Sequence, residues 1–257
     1  MFLIDSHCHL DHFPEEERGA VLARAAAAQV REVVTIGTRL GQSAEMRAYA
    51  ERTAGVWCTV GVHPHEAGAV PMASVEALVG LADSPKVVGI GESGLDYHYD
   101  TAPRESQKAS FRVHIEAARR TGLPIAIHAR AADDDIATIL EEEAGQGAYA
   151  LLLHCFSSGR GRAARALALG GYVSFSGILT FPKSEELRAI AREVPAERLL
   201  VETDSPFLAP VPHRGKRCEP AMVADTAAVL ARVRGMEVAA LAELTTANFR
   251  RLFRRAG

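Results

Sequence analysis

The chain has 257 residues, of which 48% are hydrophobic and 24% charged, with a formal net charge of -3 at pH 7. A chain of this length can bury a large core, and closed α/β barrels commonly reach about 250 residues as one domain, so we expect a single domain over residues 1–257. The charge balance excludes a protein that attracts polyanions over its whole surface. Nucleic acid, if bound, requires a local basic patch.

The cysteine content indicates a reducing compartment. The four cysteines show neither a C-x-x-C pair nor the dense spacing of a disulfide framework; they are Cys8, Cys58, Cys155 and Cys218. The charged residue Asp5 comes too early for the apolar segment of a signal peptide, and no uncharged run is long enough to cross a bilayer. We therefore expect a cytoplasmic protein without a membrane segment, and no stretch indicates an obligate protein partner.

Eight short runs rich in Val, Ile and Leu alternate with longer, alanine-rich and charged segments of helical spacing. The runs are Phe2 to His9, Glu32 to Thr38, Val56 to His63, Val87 to Glu92, Pro124 to His128, Ala150 to His154, Tyr172 to Ser176, and Leu199 to Asp204. Such alternation is typical of parallel strands covered by helices. An open doubly wound sheet would more often have fewer strands and a glycine-rich phosphate loop after the first strand, which this sequence lacks. The pattern favours an α/β fold of the (β/α)8 TIM-barrel type.

The segments between the runs predict seven helices, which begin near Pro14, Gln42, Met72, Pro103, Ala132, Arg160 and Ser184. A loop rich in proline and basic residues follows the last strand, from Ser205 to Pro220. Beyond it we predict three helices, at about Pro220 to Arg234, Glu237 to Leu244 and Thr246 to Arg254.

Polar residues stand where most of the predicted strands end. They are His7 and His9, His63 and His65, Glu92, His128, His154, and Asp204. The carboxyl ends of barrel strands all open onto one face, which is the face that carries the chemistry of such barrels. This distribution predicts a cluster of these side chains on that face.

The cluster has the composition of a metal site. Strand alternation places His7 and His9 on one side, where they form a clamp; alone they would equally suit a structural pair, but His128, His154, Glu92 and Asp204 converge with them. Four histidines and two carboxylates exceed the needs of one tetrahedral ion, and a bridging Glu92 would hold two ions about 3.5 to 4 Å apart. We expect two divalent ions.

The sequence does not fix which metal is bound. Imidazole-rich sites suit zinc, manganese, iron or nickel better than magnesium, while the ion used in the cell also depends on availability. Magnesium, manganese and zinc are therefore all candidates. We expect Cys8 and Cys155, which adjoin two of the histidines, to point away from the site as small core residues.

Residues beyond the predicted ligands suggest a phosphate-containing substrate. His65 is a candidate substrate contact. His63 is a candidate for contacting the metal ligands without binding a metal itself. Both histidines also fit ordinary turn and core positions. Arg130 and the stretch from His213 to Arg217 match phosphate oxygens, although the stretch also fits a solvated loop. Four aromatic residues of strand-end loops could stack on bases or simply anchor their loops: Tyr97, Tyr99, Phe156 and Phe207.

Seven motifs, taken together, resemble the TatD family of metal-dependent hydrolases over residues 5 to about 220. They are D-S-H-C-H-L-D at Asp5, G-V-H-P-H at Gly61, G-E-S-G-L-D-Y at Gly91, I-H-A-R at Ile127, H-C-F at His154, E-T-D-S-P at Glu202 and P-H-R-G-K-R at Pro212. The resemblance implies an amidohydrolase-like barrel and a deoxyribonuclease with 3′-to-5′ exonuclease action on single-stranded DNA. The substrate partner would then be single-stranded DNA, in some members also RNA.

The resemblance also implies roles for individual residues. It assigns one metal to His7, His9, Glu92 and Asp204, and a second to Glu92, His128 and His154. It places His65 and Arg214 near the scissile phosphate, and makes Asp204 the general base in addition to a ligand.

Two alternatives to a nuclease are retained. The same centre could cleave an ester, either in D-aminoacyl-tRNA or in a small phosphoester, because the fold does not decide the substrate. A protein of another class, a catalytically silent metal-binding scaffold, would bind metal tightly without metal-dependent turnover.

Overall fold

The computed structural model describes residues 2–257, in which eight parallel strands form one sheet whose order follows the chain from β1 to β8. The strands are β1 (Leu3–Cys8), β2 (Val30–Thr35), β3 (Val56–Val60), β4 (Val87–Asp96), β5 (Ile125–Arg130), β6 (Leu151–Leu153), β7 (Tyr172–Phe175) and β8 (Leu199–Val201). Each strand pairs with its neighbour in the chain, as expected of repeated strand–helix–strand units.

Backbone hydrogen bonds between β1 and the residues that follow β8 bring the two edges of the sheet together. The amide of Asp204 donates to the carbonyl of His7 (2.9 Å), and the amide of His9 donates to the carbonyl of Ser205 (2.8 Å). The sheet is thereby a nearly closed barrel, which confirms the predicted TIM-barrel fold. These two bonds also fix the relative positions of the backbone segments that carry three of the predicted metal ligands, His7, His9 and Asp204.

Helices connect successive strands and cover the outside of the barrel. They are α1 (Glu15–Ala27), α2 (Leu40–Arg52), α3 (Val75–Leu81), α4 (Arg104–Thr121), α5 (Asp133–Ala144), α6 (Arg160–Ala168), α7 (Glu185–Glu193), α8 (Val223–Arg234) and α9 (Val238–Leu252). Within the described chain, none of them has the length and apolar character needed to cross a membrane.

The buried apolar side chains form two clusters. The larger one lies between the strands and the surrounding helices and includes Leu3, Cys8 and Val33. The smaller one joins the first residues of several strands, such as Ile4 and Val88, to the aromatic side chains of Phe249 and Phe253 at the end of the chain. These aromatic residues close the barrel at the amino-terminal ends of its strands, opposite the face that carries the polar cluster.

The predicted division of the last segment into two helices is wrong, because α9 runs without a break from Val238 to Leu252. Thr245 lies in the middle of the predicted break, and its hydroxyl donates to the carbonyl of Leu241 (3.0 Å), which is compatible with a continuous helix. The buried residues Leu241, Thr245 and Asn248 follow helical spacing across the same point. Tertiary packing thus keeps Thr245 helical, although its local sequence is compatible with a break between two helices.

Candidate metal centre

The carboxyl ends of the strands surround an open cavity of about 660 Å³. Its lining includes most of the predicted site residues, namely His9, His63, His65, Glu92, His128, Arg130, His154 and Asp204. His7 lies beneath them and is completely buried. The structure therefore brings together residues from β1, β4 and β5 and from the loops that follow β3, β6 and β8.

Glu92, on β4, is the centre of the cluster. Its Oε1 atom lies 2.8 Å from Nδ1 of His128 and 2.8 Å from Nε2 of His154. Its Oε2 atom lies 3.3 Å from Nε2 of His7 and 3.8 Å from Nε2 of His9. The two oxygens thus face different pairs of histidines, which is the arrangement that a carboxylate bridging two ions requires.

Asp204 faces the same cluster from the loop that follows β8. Its Oδ1 atom is 3.4 Å from Nε2 of His9 and 3.7 Å from Nε2 of His7. The residue has a φ of 59°, in the left-handed region. This conformation is uncommon for a residue with a side chain, although Asp adopts it more readily than most.

Several buried donor and acceptor atoms of the cluster have no hydrogen-bond partner among the described residues. They are both ring nitrogens of His7, Nδ1 of His9, and Oε2 of Glu92. Buried polar groups without partners are costly and rare in folded proteins. Coordination of a divalent cation would satisfy such atoms, and the donor atoms of one three-residue group, His7–His9–Asp204, all lie within 4.8 Å of one another. The residues present therefore fit a metal site.

Two further carboxylates lie behind the histidines. Asp96 contacts Nε2 of His128 (3.1 Å), and Glu202 contacts Nδ1 of His154 (3.3 Å), so each imidazole lies between Glu92 and a second carboxylate. Burial opposes a charge on His154, but Glu92 and Glu202 raise its pKa well above the ordinary value. Burial likewise opposes a charge on Glu92, yet His154 and His63 hold its pKa well below the ordinary value.

Asp5 connects the two edges of the barrel beneath the cluster. Its carboxylate accepts hydrogen bonds from the amide (2.8 Å) and hydroxyl (2.6 Å) of Thr203 and from the amide of His7 (3.3 Å). Burial raises the pKa of Asp5 to about 8. Because Thr203 precedes Asp204, this contact fixes the backbone positions of two predicted ligands.

His63 is held as a neutral donor. Its Nδ1 atom accepts a hydrogen bond from the amide of His65 (3.1 Å), so the neutral ring carries its proton on Nε2, which lies 3.5 Å from Oε1 of Glu92. Burial lowers the pKa of His63 to about 4. His63 therefore presents an N–H group to the cluster.

Cationic and aromatic side chains form the rim of the cavity. The guanidinium of Arg130 lies 4.7 Å from the centre of the Tyr99 ring, which is 58% exposed. Phe207, 48% exposed, lies on the other side next to His9. Arg39, which the sequence analysis missed, also lines the cavity and pairs with Glu66 at 2.9 Å.

Arg214 is not among the residues that line the cavity. Its guanidinium lies 3.8 Å from the centre of the Phe181 ring and donates to the carbonyl of Ala209 (3.2 Å). Two of the candidate aromatic contacts are also directed elsewhere, since Phe156 is buried and the Tyr97 hydroxyl donates to Asp135 (2.6 Å).

The expected orientation holds for one of the two cysteines. Cys8 is completely buried and its thiol donates to the carbonyl of Val34 (3.4 Å). The expectation for Cys155 is wrong, because this residue lines the cavity. Strand β6 ends at Leu153, so alternation no longer applies, and the positive φ of 43° gives Cys155 a left-handed backbone conformation.

The sequence analysis missed Asp96 and Glu202 as parts of the site. Both are completely buried acidic residues within quoted motifs, G-E-S-G-L-D-Y and E-T-D-S-P. Acidic residues are seldom fully buried unless they are paired, so their position in apolar strand-end segments is the signal that could have identified them.

Comparison with known proteins relates the whole chain to one group. The family model described as "TatD related DNase" matches residues 4–254. A metal-dependent hydrolase of Escherichia coli K12, YcfH, named as uncharacterized, is 45% identical over 98% of this chain and 96% of its own. The "3'-5' ssDNA/RNA exonuclease TatD" of Klebsiella pneumoniae is 36% identical over 91% of this chain and 90% of its own. The crystal structure of YJJV, a TatD homologue from E. coli, has a TM-score of 0.89 at 29% identity and covers 98% of both chains.

Proposed function

The chain belongs to the TatD family of metal-dependent hydrolases, and from that membership we propose that it is a deoxyribonuclease that removes nucleotides from the 3′ end of single-stranded DNA. One observation carries the proposal: unpartnered, buried histidine and carboxylate atoms lie next to an open cavity whose rim is cationic and aromatic. The name of the K. pneumoniae relative supports the choice of substrate and polarity.

Two divalent ions are proposed. His7, His9, Glu92 and Asp204 would hold one, and Glu92, His128 and His154 the other, with Glu92 shared because its two oxygens face different histidines. Ions held there would activate water and neutralise charge on the phosphate oxygens during in-line displacement. Manganese, zinc and magnesium are the ions to compare.

The protein's own groups supply positioning and proton transfer. Asp204 accepts the proton of the attacking water, a role that suits its partial exposure of 15% at the edge of the cluster. The Nε2–H of His63 points toward Oε1 of Glu92 (3.5 Å) and helps to orient that carboxylate. Arg130 binds the phosphate by charge and a planar fork of N–H groups, and His65 contacts the substrate beside it.

Hydrolysis of end-labelled oligonucleotides tests the proposal. Chelated protein is reloaded with magnesium, manganese or zinc and incubated with single-stranded DNA labelled at either end, in parallel with Glu92→Gln, which keeps the side-chain volume and removes the charge. Metal-dependent, stepwise loss from the 3′ end in the wild type, and loss of at least about 100-fold in the variant, are expected.

Inactivity of the metal-loaded wild type toward DNA would contradict the nuclease. Hydrolysis of an aminoacylated tRNA or a small phosphoester by the same sample would then establish the esterase alternative. Tight metal binding without turnover on any of these substrates would instead establish the silent scaffold.

A further inference from the structure

One carboxylate oxygen joins a predicted metal ligand to a predicted substrate contact. Oδ2 of Asp96 lies 2.9 Å from Nε2 of His65 and 3.1 Å from Nε2 of His128. His65 is 30% exposed in the cavity, whereas Asp96 is completely buried at the end of β4. The buried carboxylate of Asp96 therefore contacts both the predicted metal ligand His128 and the predicted substrate contact His65.

Both carboxylate oxygens of Asp96 and its backbone amide are engaged in hydrogen bonds. Its Oδ1 atom accepts hydrogen bonds from the amides of His98 and Tyr99, each at 3.0 Å. Its own amide donates to the side chain of Gln107 (2.8 Å), and the amide group of Gln107, which is completely buried, donates to the carbonyl of Ala102 (2.8 Å). With both oxygens engaged, Asp96 has little freedom to rotate.

The contacts of Asp96 hold the same ring nitrogen, Nε2, in both imidazoles and so set the orientation of both rings. A carboxylate offers only acceptors, so His65 and His128 each present an N–H from Nε2. Nδ1 of His128 is thereby turned toward Glu92, 2.8 Å from its Oε1 atom, and is the nitrogen available to an ion that Glu92 would hold. Nδ1 of His65 is the nitrogen left for the substrate, and it can donate to a phosphate oxygen when the ring carries a second hydrogen, whose positive charge the carboxylate of Asp96 balances.

We infer that Asp96 is a positioning residue that simultaneously sets His128 for metal binding and His65 for substrate binding. The inference rests on the proposed function, since it takes His128 as a ligand and His65 as a phosphate-side contact. Carboxylates behind metal-bound histidines typically increase metal affinity by about 10–100-fold. Because Asp96 also contacts His65, metal binding at His128 and substrate binding at His65 should both change when Asp96 is altered.

The substitution Asp96→Asn tests the inference with little change of shape. The amide oxygen can still accept from His98 and Tyr99, but the NH2 group that faces the two Nε2 atoms can only donate and carries no charge. A hydrogen bond from it would place the hydrogen of His128 on Nδ1, which then cannot bind an ion, and a positive His65 ring would lose its counter-charge. His65→Gln removes only the substrate side, and Asp135→Asn, on an Asp that is 40% exposed, is a matched control.

Cobalt(II) absorption and inorganic phosphate are the probes. We expect Asp96→Asn to weaken the binding of one of two Co²⁺ ions by about 10–100-fold, and to weaken phosphate binding to the Co²⁺-saturated protein. His65→Gln should weaken phosphate binding with Co²⁺ affinity unchanged, and Asp135→Asn should match the wild type in both. Wild-type Co²⁺ affinity in Asp96→Asn, or a loss of Co²⁺ affinity without any loss of phosphate affinity, would overturn the inference.

The test is independent of nuclease activity. A wild type that binds two Co²⁺ ions but cleaves no DNA contradicts the proposed substrate and leaves the comparison of variants valid, whereas a wild type that binds no Co²⁺ overturns both proposals. If Asp96→Asn does not fold, Gln107→Met replaces it. This change keeps the carboxylate of Asp96 and removes the Gln107 side-chain amide, whose oxygen accepts the hydrogen bond from the backbone amide of Asp96. The same pattern with smaller losses is then expected.

Discussion

The imidazole rings of His7 and His154 stack face to face, with centroids 3.8 Å apart and planes inclined by 6°. They reach this position from non-adjacent parts of the barrel, β1 and the loop after β6. Burial and the neighbouring His154 both lower the pKa of His7. A buried ring that stays neutral offers a lone pair to a cation, so the stack brings nitrogens of a proposed ligand of each ion next to one another.

His7→Phe should separate stacking from metal binding. The phenyl ring can keep the contact with His154, whereas both ring nitrogens are lost, so we expect metal affinity to fall by at least about 100-fold with the fold retained. Metal content after dialysis, measured by atomic absorption, checks this. His12→Phe is the control, because His12 lies on the rim and is 45% exposed; equal metal content in the two variants would contradict the ligand role of His7.

Asp204→Asn should lower turnover by about 100–10,000-fold, the range typical of a lost general base. Rates are to be measured at saturating metal, with the bound metal quantified in the same sample. A variant that retains both ions and turns over at the wild-type rate would show that another group accepts the proton.

The exposed aromatic rings should contribute to binding of the DNA strand. Stacking of a base on an aromatic ring typically contributes about 1–3 kcal/mol, so Tyr99→Ala and Phe207→Ala should each raise the Kd for a single-stranded oligonucleotide by about 5- to 150-fold. Fluorescence anisotropy with a non-hydrolysable oligonucleotide measures this. Val238→Ala, an exposed apolar residue at the start of α9, should bind like the wild type.

The two candidate phosphate-binding arginines should behave differently. Arg130 lines the cavity, while the guanidinium of Arg214 is engaged by Phe181 and Ala209. Arg130→Gln should weaken oligonucleotide binding and reduce the slope of log Kd against log salt by about 0.7, the value for one phosphate contact to a single strand. Arg214→Gln should leave the slope unchanged; a reduced slope would show that the loop turns toward the substrate.

His114 should make stability depend on pH. It is completely buried on α4, accepts a hydrogen bond from the amide of Val62 (2.9 Å), and burial lowers its pKa from 6.5 to about 4. Between these pH values the unfolded chain binds a proton that the folded protein does not, so the free energy of unfolding falls as the pH decreases. The loss approaches about 3 kcal/mol near pH 4.

Urea unfolding of the wild type and His114→Gln at several pH values isolates this contribution. The glutamine can accept the same hydrogen bond and does not titrate, so the variant should lose about 3 kcal/mol less between pH 6.5 and 4. Parallel pH profiles for the two proteins would contradict the prediction.

The sequence predicted the barrel well because parallel strands leave a strong signal. Buried on both faces, they appear as short apolar runs, and the polar residues that end them mark the catalytic face of the barrel. The ends of elements were less predictable: β4 continues to Asp96, four residues beyond the predicted end at Glu92. This extension is what places Asp96 behind His128.

The contacts of Asp96, Glu202 and Asp5 could not be predicted, because they join residues far apart in the chain. Asp5 and Thr203 are 198 positions apart, and their contact depends on the closure of the barrel. Cys155 illustrates a second limit, since its direction is set by a left-handed backbone conformation after the strand. Apolar periodicity carries no information about either.

The aromatic residues at the end of the chain determine how a polymer could use this site. Phe249 and Phe253 pack inside the barrel with Ile4 and Val88. The cavity is therefore open at the carboxyl ends of the strands and closed at their amino-terminal ends. In the proposed nuclease, a DNA strand could therefore not be threaded through the protein. Each released nucleotide would leave by the opening through which the strand entered, and the shortened strand would have to shift or retreat before the next cut.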